Sequence, residues 1–243
     1  MAILRSLLFY PVFYGFSACL VVASVIAVAF GREPLKRVVA LWGVWHRWCV
    51  ENILGIRIVV EGEMPDGPVL IAVKHEAFFE AIDMSRLFAF PVVFAKRELF
   101  MIPGWGYSAR VYGLVPVARD GGARALRDMI ATAKLRVNEG RPLVIFPEGT
   151  RVPHGKEPPL QSGFAGIYKL LGLPVVPIAV NSGPFYHRIV KQPGQITYRV
   201  GETIPAGLPR PEIEARVHRA INVLNNSEEV PHFANPHPRV RPR

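Results

Sequence analysis

Between Arg5 and Arg32 no Lys, Arg, Asp, Glu or His interrupts the chain. At about 1.5 Å per residue, a helix of that length can cross the roughly 30 Å hydrocarbon core of a bilayer. Three readings fit the run: an uncleaved anchor, a signal peptide cut after Ala27-Val28-Ala29, and a buried core helix. A signal peptide's apolar stretch is only about 7–15 residues, so the anchor is preferred. Pro11 and Gly15 offer places for a kink, which would make the run re-entrant or half of a helical hairpin. Residues 36–54 form a second helical stretch. Trp42, Trp45 and Trp48 share one face of it. That spacing suits indole rings at a headgroup layer, and equally a helix packed on a core. Arg32, Lys36, Arg37 and Arg47 outnumber Arg5, which favours the cytoplasm for the C-terminal side.

From Arg57 onward short apolar runs alternate with amphipathic stretches. Strands are expected at residues 58–60, 69–73, 92–95, 113–117, 142–146 and 175–180, and around Tyr198 and Val200. Helices are expected over 78–88, 120–138, 162–171 and 212–224, with Asp120 as a cap and Gly140 as a stop signal. The alternation predicts an α/β fold, a layered sheet covered by helices on both faces. The chain divides into a membrane anchor with an interfacial helix (1–54), an α/β domain (55–226) and a Pro-rich tail (227–243) that reads as disordered.

Half of the 243 residues are hydrophobic and mean hydropathy is +0.23, a balance that suggests membrane contact. The formal net charge of +10 favours a polyanionic partner. No zinc-finger spacing, basic heptad region or aromatic RNA-binding signature accompanies it, so anionic lipid is the better reading than nucleic acid. Cys19 and Cys49 make no disulfide framework and no metal site.

Three polar clusters fall at expected strand ends. The first is Lys74-His75-Glu76-Ala77-Phe78-Phe79-Glu80. A helix entered after His75 would return the Glu80 carboxylate to the imidazole, fixing one ring nitrogen and freeing the other to take a proton. No Ser or Cys nucleophile stands beside the pair, so it suits a base acting on a substrate hydroxyl. The plain alternative is a packing His beside an exposed Glu. No HExxH or partner-His spacing surrounds His75, which argues against a metal. Of the seven histidines, only His75 sits in a pattern that needs explaining. The second cluster, Phe146-Pro147-Glu148-Gly149-Thr150-Arg151, pairs a guanidinium fork suited to phosphate with a glycine that lets backbone amides approach an anion; an ordinary surface turn reads the same way. The third, Gly113 to Arg119, ends a strand on another Arg. A fourth segment, Leu173 to Asn181 with Pro174 and Pro177, reads as a supporting buried strand.

In this order the segments resemble the glycerolipid acyltransferase family, and within it the 1-acylglycerol-3-phosphate acyltransferases. His75 to Glu80 is similar to the family's His-(four residues)-acid motif, with Glu in place of the usual Asp. Lys96-Arg97-Glu98-Leu99, Ile102-Pro103, Trp105-Gly106 and Gly113 to Arg119 are similar to the second motif, Phe146 to Arg151 to the third, and Val175 to Val180 to the fourth. The resemblance covers about residues 55–205. It implies a glycerol-3-phosphate acyltransferase-like fold with a membrane-embedded N-terminal segment. It also implies transfer from acyl-CoA or acyl-carrier protein to the 2-hydroxyl of lysophosphatidate at the inner membrane, with no cofactor. His75 would be the base and Glu80 its partner. Arg119, Glu148, Gly149, Thr150 and Arg151 would hold the phosphate or shape its pocket. Asp83 is a nearby carboxylate that would need a register change to serve. The rival readings are the same chemistry on another lysolipid such as a lyso-ornithine lipid, a non-catalytic membrane-binding protein, and, last, a nucleic-acid binder.

Overall fold

The computed structural model describes residues 1–117 and 122–225. The uncharged run and the stretch after it form α1 (Ala2–Ala29) and α2 (Arg32–Trp48), a helical hairpin turned through Phe30 and Gly31. Helix α1 continues through Pro11, so the expected kink does not divide it. A π-helical turn, Cys49–Leu54, closes α2. There follow β1 (Ile56–Glu61), β2 (Leu70–Val73), α3 (Phe78–Leu87), β3 (Val92–Lys96), a 3-10 turn (Arg97–Met101), α4 (Trp105–Tyr112) and β4 (Val115–Val117). Next come α5 (Gly122–Asn138), β5 (Leu143–Ile145), α6 (Ser162–Leu171), β6 (Val175–Val180), a second π-helical turn (Gly183–His187), β7 (Gly194–Val200) and α7 (Arg210–Ile221). The sequence pattern did not announce α4 or the turn before it. Helix α7 starts and stops slightly earlier than expected. The cap Asp120 and the tail 227–243 lie outside the described residues.

The seven strands form one mixed sheet in the order β1-β7-β6-β2-β5-β3-β4. Only β6 and β7 pair antiparallel, so β1 and β7 run against the other five. Strand β2 shows why the sheet has two cores. Successive side chains point to opposite faces. Ile71 and Val73 join Phe79, Ile82 and Met84 of α3 on one side. Leu70 and Ala72 face Ile130 and Ala133 of α5, Phe164 and Ile167 of α6, and Ile213 and Val217 of α7 on the other.

The first core also includes Phe9 and Phe13 of α1. That helix lies along the domain and is tied at both ends. Near its start, Arg5 Nη1 donates to Leu54 O at 3.2 Å and the Lys191 amide donates to Ser6 Oγ at 2.8 Å. Near its end, Ser24 Oγ donates to Ser108 Oγ on α4 at 2.8 Å. Leu4, Leu7, Leu8, Val22, Val25 and Ile26 stay exposed on the other side. By length and composition α1 is apolar enough to cross a membrane, and this open apolar side fits membrane association.

The tryptophan stripe divides its service. Trp42 and Trp45 pack against the first core, with Trp42 Nε1 donating to Ser17 Oγ at 3.0 Å. Trp48 stays exposed and stacks on Trp45 at 5.2 Å. On the inner side of α2, His46 is fully buried and hydrogen-bonds the Tyr186 hydroxyl at 2.9 Å. Burial, reinforced by Arg47 and Lys191, pulls its pKa down to about 3, so the imidazole stays neutral.

Cys49 is fully buried at the α2 terminus and burial pushes its thiol up to about 11, whereas Cys19 is exposed. The thiolate is the reactive form. A lipid-permeant thiol reagent should therefore modify Cys19 in the folded, detergent-purified protein and reach Cys49 only after denaturation, as counted by mass spectrometry.

Candidate active site

Because β6, β2 and β5 are parallel neighbours, their C-terminal ends deliver three loops to one place. Ligand chemistry in α/β sheets gathers at such ends. Strand β2 delivers Lys74, His75 and Glu76; β5 delivers Phe146 to Arg151; β6 delivers Asn181, Ser182 and Gly183.

The backbone of His75 is held on both sides by the loop after β5. Its amide donates to Glu148 Oε2 at 3.1 Å, and its carbonyl accepts the Val152 amide at 2.7 Å. The ring stacks on Phe146 at 4.2 Å. Nδ1 is shielded from solvent and lies 3.4 Å from Glu80 Oε2, longer than an ordinary hydrogen bond, with no closer partner. Such contacts commonly tighten only when substrate arrives. The ring is 15% exposed, and Nε2 is the nitrogen left for a substrate.

Glu80 sits at the third position of α3 and caps it. Its carboxylate accepts the Ala77 amide at 3.1 and 3.2 Å and the Glu76 amide at 3.3 Å. Ala77, at the cap position, has no side-chain acceptor of its own, so Glu80 supplies the satisfaction a helix start needs. The Ser182 hydroxyl also donates to Glu80. Ser182 is fully buried, so it braces the carboxylate and is not placed to attack a substrate. The alternative carboxylate, Asp83, faces away into a two-pronged pair with Arg47 of α2, Nε donating to Oδ1 at 3.0 Å. No register change brings it to His75.

Glu148 is 2% exposed and turned inward. Oε1 accepts from Lys74 Nζ at 2.7 Å, and Lys74 also donates to the Lys156 carbonyl at 2.8 Å and Asn222 Oδ1 at 2.7 Å. Both carboxylate oxygens are thus engaged. Glu148 shapes the site from behind and does not reach toward a phosphate, as its position in the turn had allowed. Gly149 takes a left-handed φ of 67°, which turns the chain outward to the exposed Thr150 and Arg151. Arg151 has no ion-pair partner among the described residues, and Glu148 beside it is paired with Lys74 instead. Arg119 lies outside the described residues.

Sequence reasoning named Lys74 without a role and passed over Ser182, Gly183, Asn222 and His154. Of these, His154 makes a second imidazole–carboxylate pair, Nδ1 to Glu76 Oε1 at 2.9 Å, so His75 is not alone in needing explanation. Its only sequence signal is a lone His soon after the Glu148 turn.

An imidazole facing a buried carboxylate at the central strand end of an α/β sheet, with an arginine on the neighbouring loop that makes no ion pair among the described residues, fits a transferase site. The sequence profile of the acyltransferase family matches residues 56–181, and the chain belongs to that family. A 1-acyl-sn-glycerol-3-phosphate acyltransferase from Pseudomonas aeruginosa is 30% identical over 202 residues, 82% of this chain and 76% of that protein. The alpha form from Homo sapiens is 26% identical over 178 residues, 70% of this chain and 63% of its own. The crystal structure of the 1-acyl-sn-glycerophosphate (LPA) acyltransferase PlsC from Thermotoga maritima aligns with a TM-score of 0.73 at 22% identity, covering 91% of this chain and 95% of that one. The sheet and its helices thus follow the expected acyltransferase architecture.

Replacing one partner of a buried ion pair strands the other, at about 3–5 kcal/mol. Lys74→Met should lower unfolding free energy by that amount in urea titrations, because Glu148 loses its counter-ion. Lys74→Met/Glu148→Leu should recover much of the loss.

Proposed function

We propose that this acyltransferase moves an acyl group from acyl-CoA or acyl-carrier protein to the sn-2 hydroxyl of 1-acyl-sn-glycerol-3-phosphate, forming phosphatidate. The observation that carries the reading is the His75 imidazole, with Nδ1 turned to Glu80 and Nε2 without a hydrogen-bond partner among the described residues. The names of the relatives supply the acceptor.

A hydroxyl is a poor nucleophile at neutral pH. His75 Nε2 takes its proton as the oxygen attacks the thioester carbonyl. The tetrahedral oxyanion collapses, the carbon–sulfur bond breaks, and protonated His75 returns the proton to the leaving thiolate. Glu80 keeps the ring in the tautomer that leaves Nε2 free and stabilises the imidazolium that forms. Arg151, presented by Gly149 and Thr150, takes the acceptor's phosphate; Arg119 is assigned to that pocket on the resemblance alone. The exposed apolar side of α1 seats the protein on the inner membrane, and the Arg and Lys bias of α2 puts the domain on the cytoplasmic side.

The test is phosphatidate formation by detergent-purified protein from lysophosphatidate and labelled acyl-CoA. Turnover on a phosphate-free lysolipid alone would assign a different acceptor. His75→Ala should cost about 10²–10⁴-fold in turnover while the protein stays folded. Glu80→Gln should slow it severely. Full activity in Glu80→Gln with loss in Asp83→Asn would name the wrong carboxylate.

Arg151→Lys separates phosphate binding from turn structure. A guanidinium makes two parallel hydrogen bonds to phosphate that an ammonium cannot copy. The apparent KM for lysophosphatidate should rise by about one to two decades, the worth of a charge-assisted contact of roughly 1.5–3 kcal/mol. The KM for the acyl donor should change little. Equal effects on both substrates, with a lower Tm, would make Arg151 structural.

A further inference from the structure

The 3-10 turn after β3 and the start of α4 fold back on each other and hold apolar side chains in the open. The Ile102 amide donates to the Leu99 carbonyl at 3.1 Å, and the Gly106 amide donates to the Ile102 carbonyl at 2.9 Å. A side chain at position 106 would meet the Phe100 carbonyl oxygen at 2.1 Å, so a glycine there is what lets α4 close on the turn. Phe100 is buried beneath, with the Trp105 ring edge-on at 6.0 Å. Between these anchors Met101 is 79% exposed, and Ile102 and Tyr107 are exposed as well. The backbone fixes this tongue, so its outward apolar side chains are a product of the fold. A patch of apolar surface on a folded protein marks a place where something else binds.

The tongue lies against α1. A Cβ on Gly104 would stand 3.1 Å from Val21 Cγ1 and 3.3 Å from Val25 Cγ2, and Ser24 reaches Ser108 one turn further along α4. On that part of α1, Val22, Val25 and Ile26 are exposed. The open apolar side of α1 is therefore extended by Met101, Ile102 and Tyr107. Two guanidiniums accompany the tongue. Arg97 and Arg110 are exposed and line one cavity of about 260 Å³ with Phe100 and Asp128. Neither arginine makes an ion pair among the described residues. Asp128 offsets one of the two charges and leaves the cavity net positive. Apolar side chains flanked by arginines suit the boundary between the headgroups and acyl chains of an anionic leaflet.

We infer that residues 97–110 are a second membrane contact. Met101, Ile102 and Tyr107 enter the leaflet beside the C-terminal half of α1, and Arg97 and Arg110 meet the phosphates of anionic lipid headgroups. The contact widens the footprint off the axis of α1, so it fixes how the domain is rolled about that helix. The inference rests on α1 being seated in the membrane and is independent of the chemistry at His75.

The experiment uses the full chain carrying Cys19→Ser, reconstituted in phosphatidylcholine vesicles with and without phosphatidylglycerol. A fluorophore is attached in turn through Val22→Cys on α1, Met101→Cys or Tyr107→Cys on the tongue, and Lys169→Cys on α6, which packs on the opposite face of the sheet from α1. Brominated acyl chains quench from within the bilayer and iodide from the water. Labels at positions 22, 101 and 107 should be quenched by brominated lipid, with the tongue roughly 5–10 Å deep, and the label at 169 by iodide. Position 101 should lie deeper when phosphatidylglycerol is present, and Arg97→Gln/Arg110→Gln should remove that difference. A label at 22 in lipid, with those at 101 and 107 open to iodide, overturns the inference and leaves the seating of α1 standing. Labels at 101 and 107 closed to both quenchers would assign the tongue to a second copy of the chain and overturn it too. Iodide reaching position 22 as well removes the seating of α1 and the inference with it. A depth that ignores phosphatidylglycerol overturns the arginine contact.

Discussion

Where β2 ends, the ammonium of Lys74 is out of reach of water and is met by Glu148, by Asn222 near the end of α7 and by the carbonyl of Lys156. An unmatched charge in that place would cost several kcal/mol, so the four stretches that meet there are bound to one another's positions. Glu148 spends its second oxygen on the amide of His75. The contact that neutralises the interior therefore also sets where His75 begins. Val152 fixes the other side of the same residue. The imidazole inherits its place from a charge pair buried behind it.

The sheet makes that meeting possible. β2 lies between β6 and β5 and runs parallel to both, so residues far apart in the chain leave the sheet at one edge. Helix α3 then starts at once, and its third residue, Glu80, serves as helix cap and histidine partner together. The four intervening residues are the length of chain needed to turn from strand into helix and bring a carboxylate back. The longer Glu side chain, where Asp is usual, still reaches both the Ala77 amide and the ring at 3.4 Å. Reversal of β7 and β1 affects only the far edge, away from these three ends.

Much of this was legible from residue order, because it rests on local periodicity. Strand β6 and helix α6 coincide with their expected spans, and β2, β3 and α3 differ from theirs by a residue or so at an end. That Glu80 and not Asp83 faces His75 was legible too, since only one of them lies on the turn that faces back. What stayed hidden depends on partners distant in the chain. Lys74 looks like a solvated strand-end lysine until Asn222 is brought across to it. Glu148 reads as an exposed turn acid until its partner is found inside. Glu76 and His154 lie 78 positions apart, and no spacing rule links them. Helix α4 was missed because it is short, between Gly104 and Gly113, and little in its pattern separates it from a loop.

The placement of α1 has a consequence for how the protein is made. Its partners are written much later in the chain: Ser6 receives the amide of Lys191, 185 positions on, and Tyr10 donates to the Ile189 carbonyl. Phe9 and Phe13 complete a core whose strands do not exist when the helix leaves the ribosome. During synthesis, then, the helix comes first and the rest of the domain assembles against it. The apolar side of the growing helix thus stays without a partner in the protein until the last strands follow.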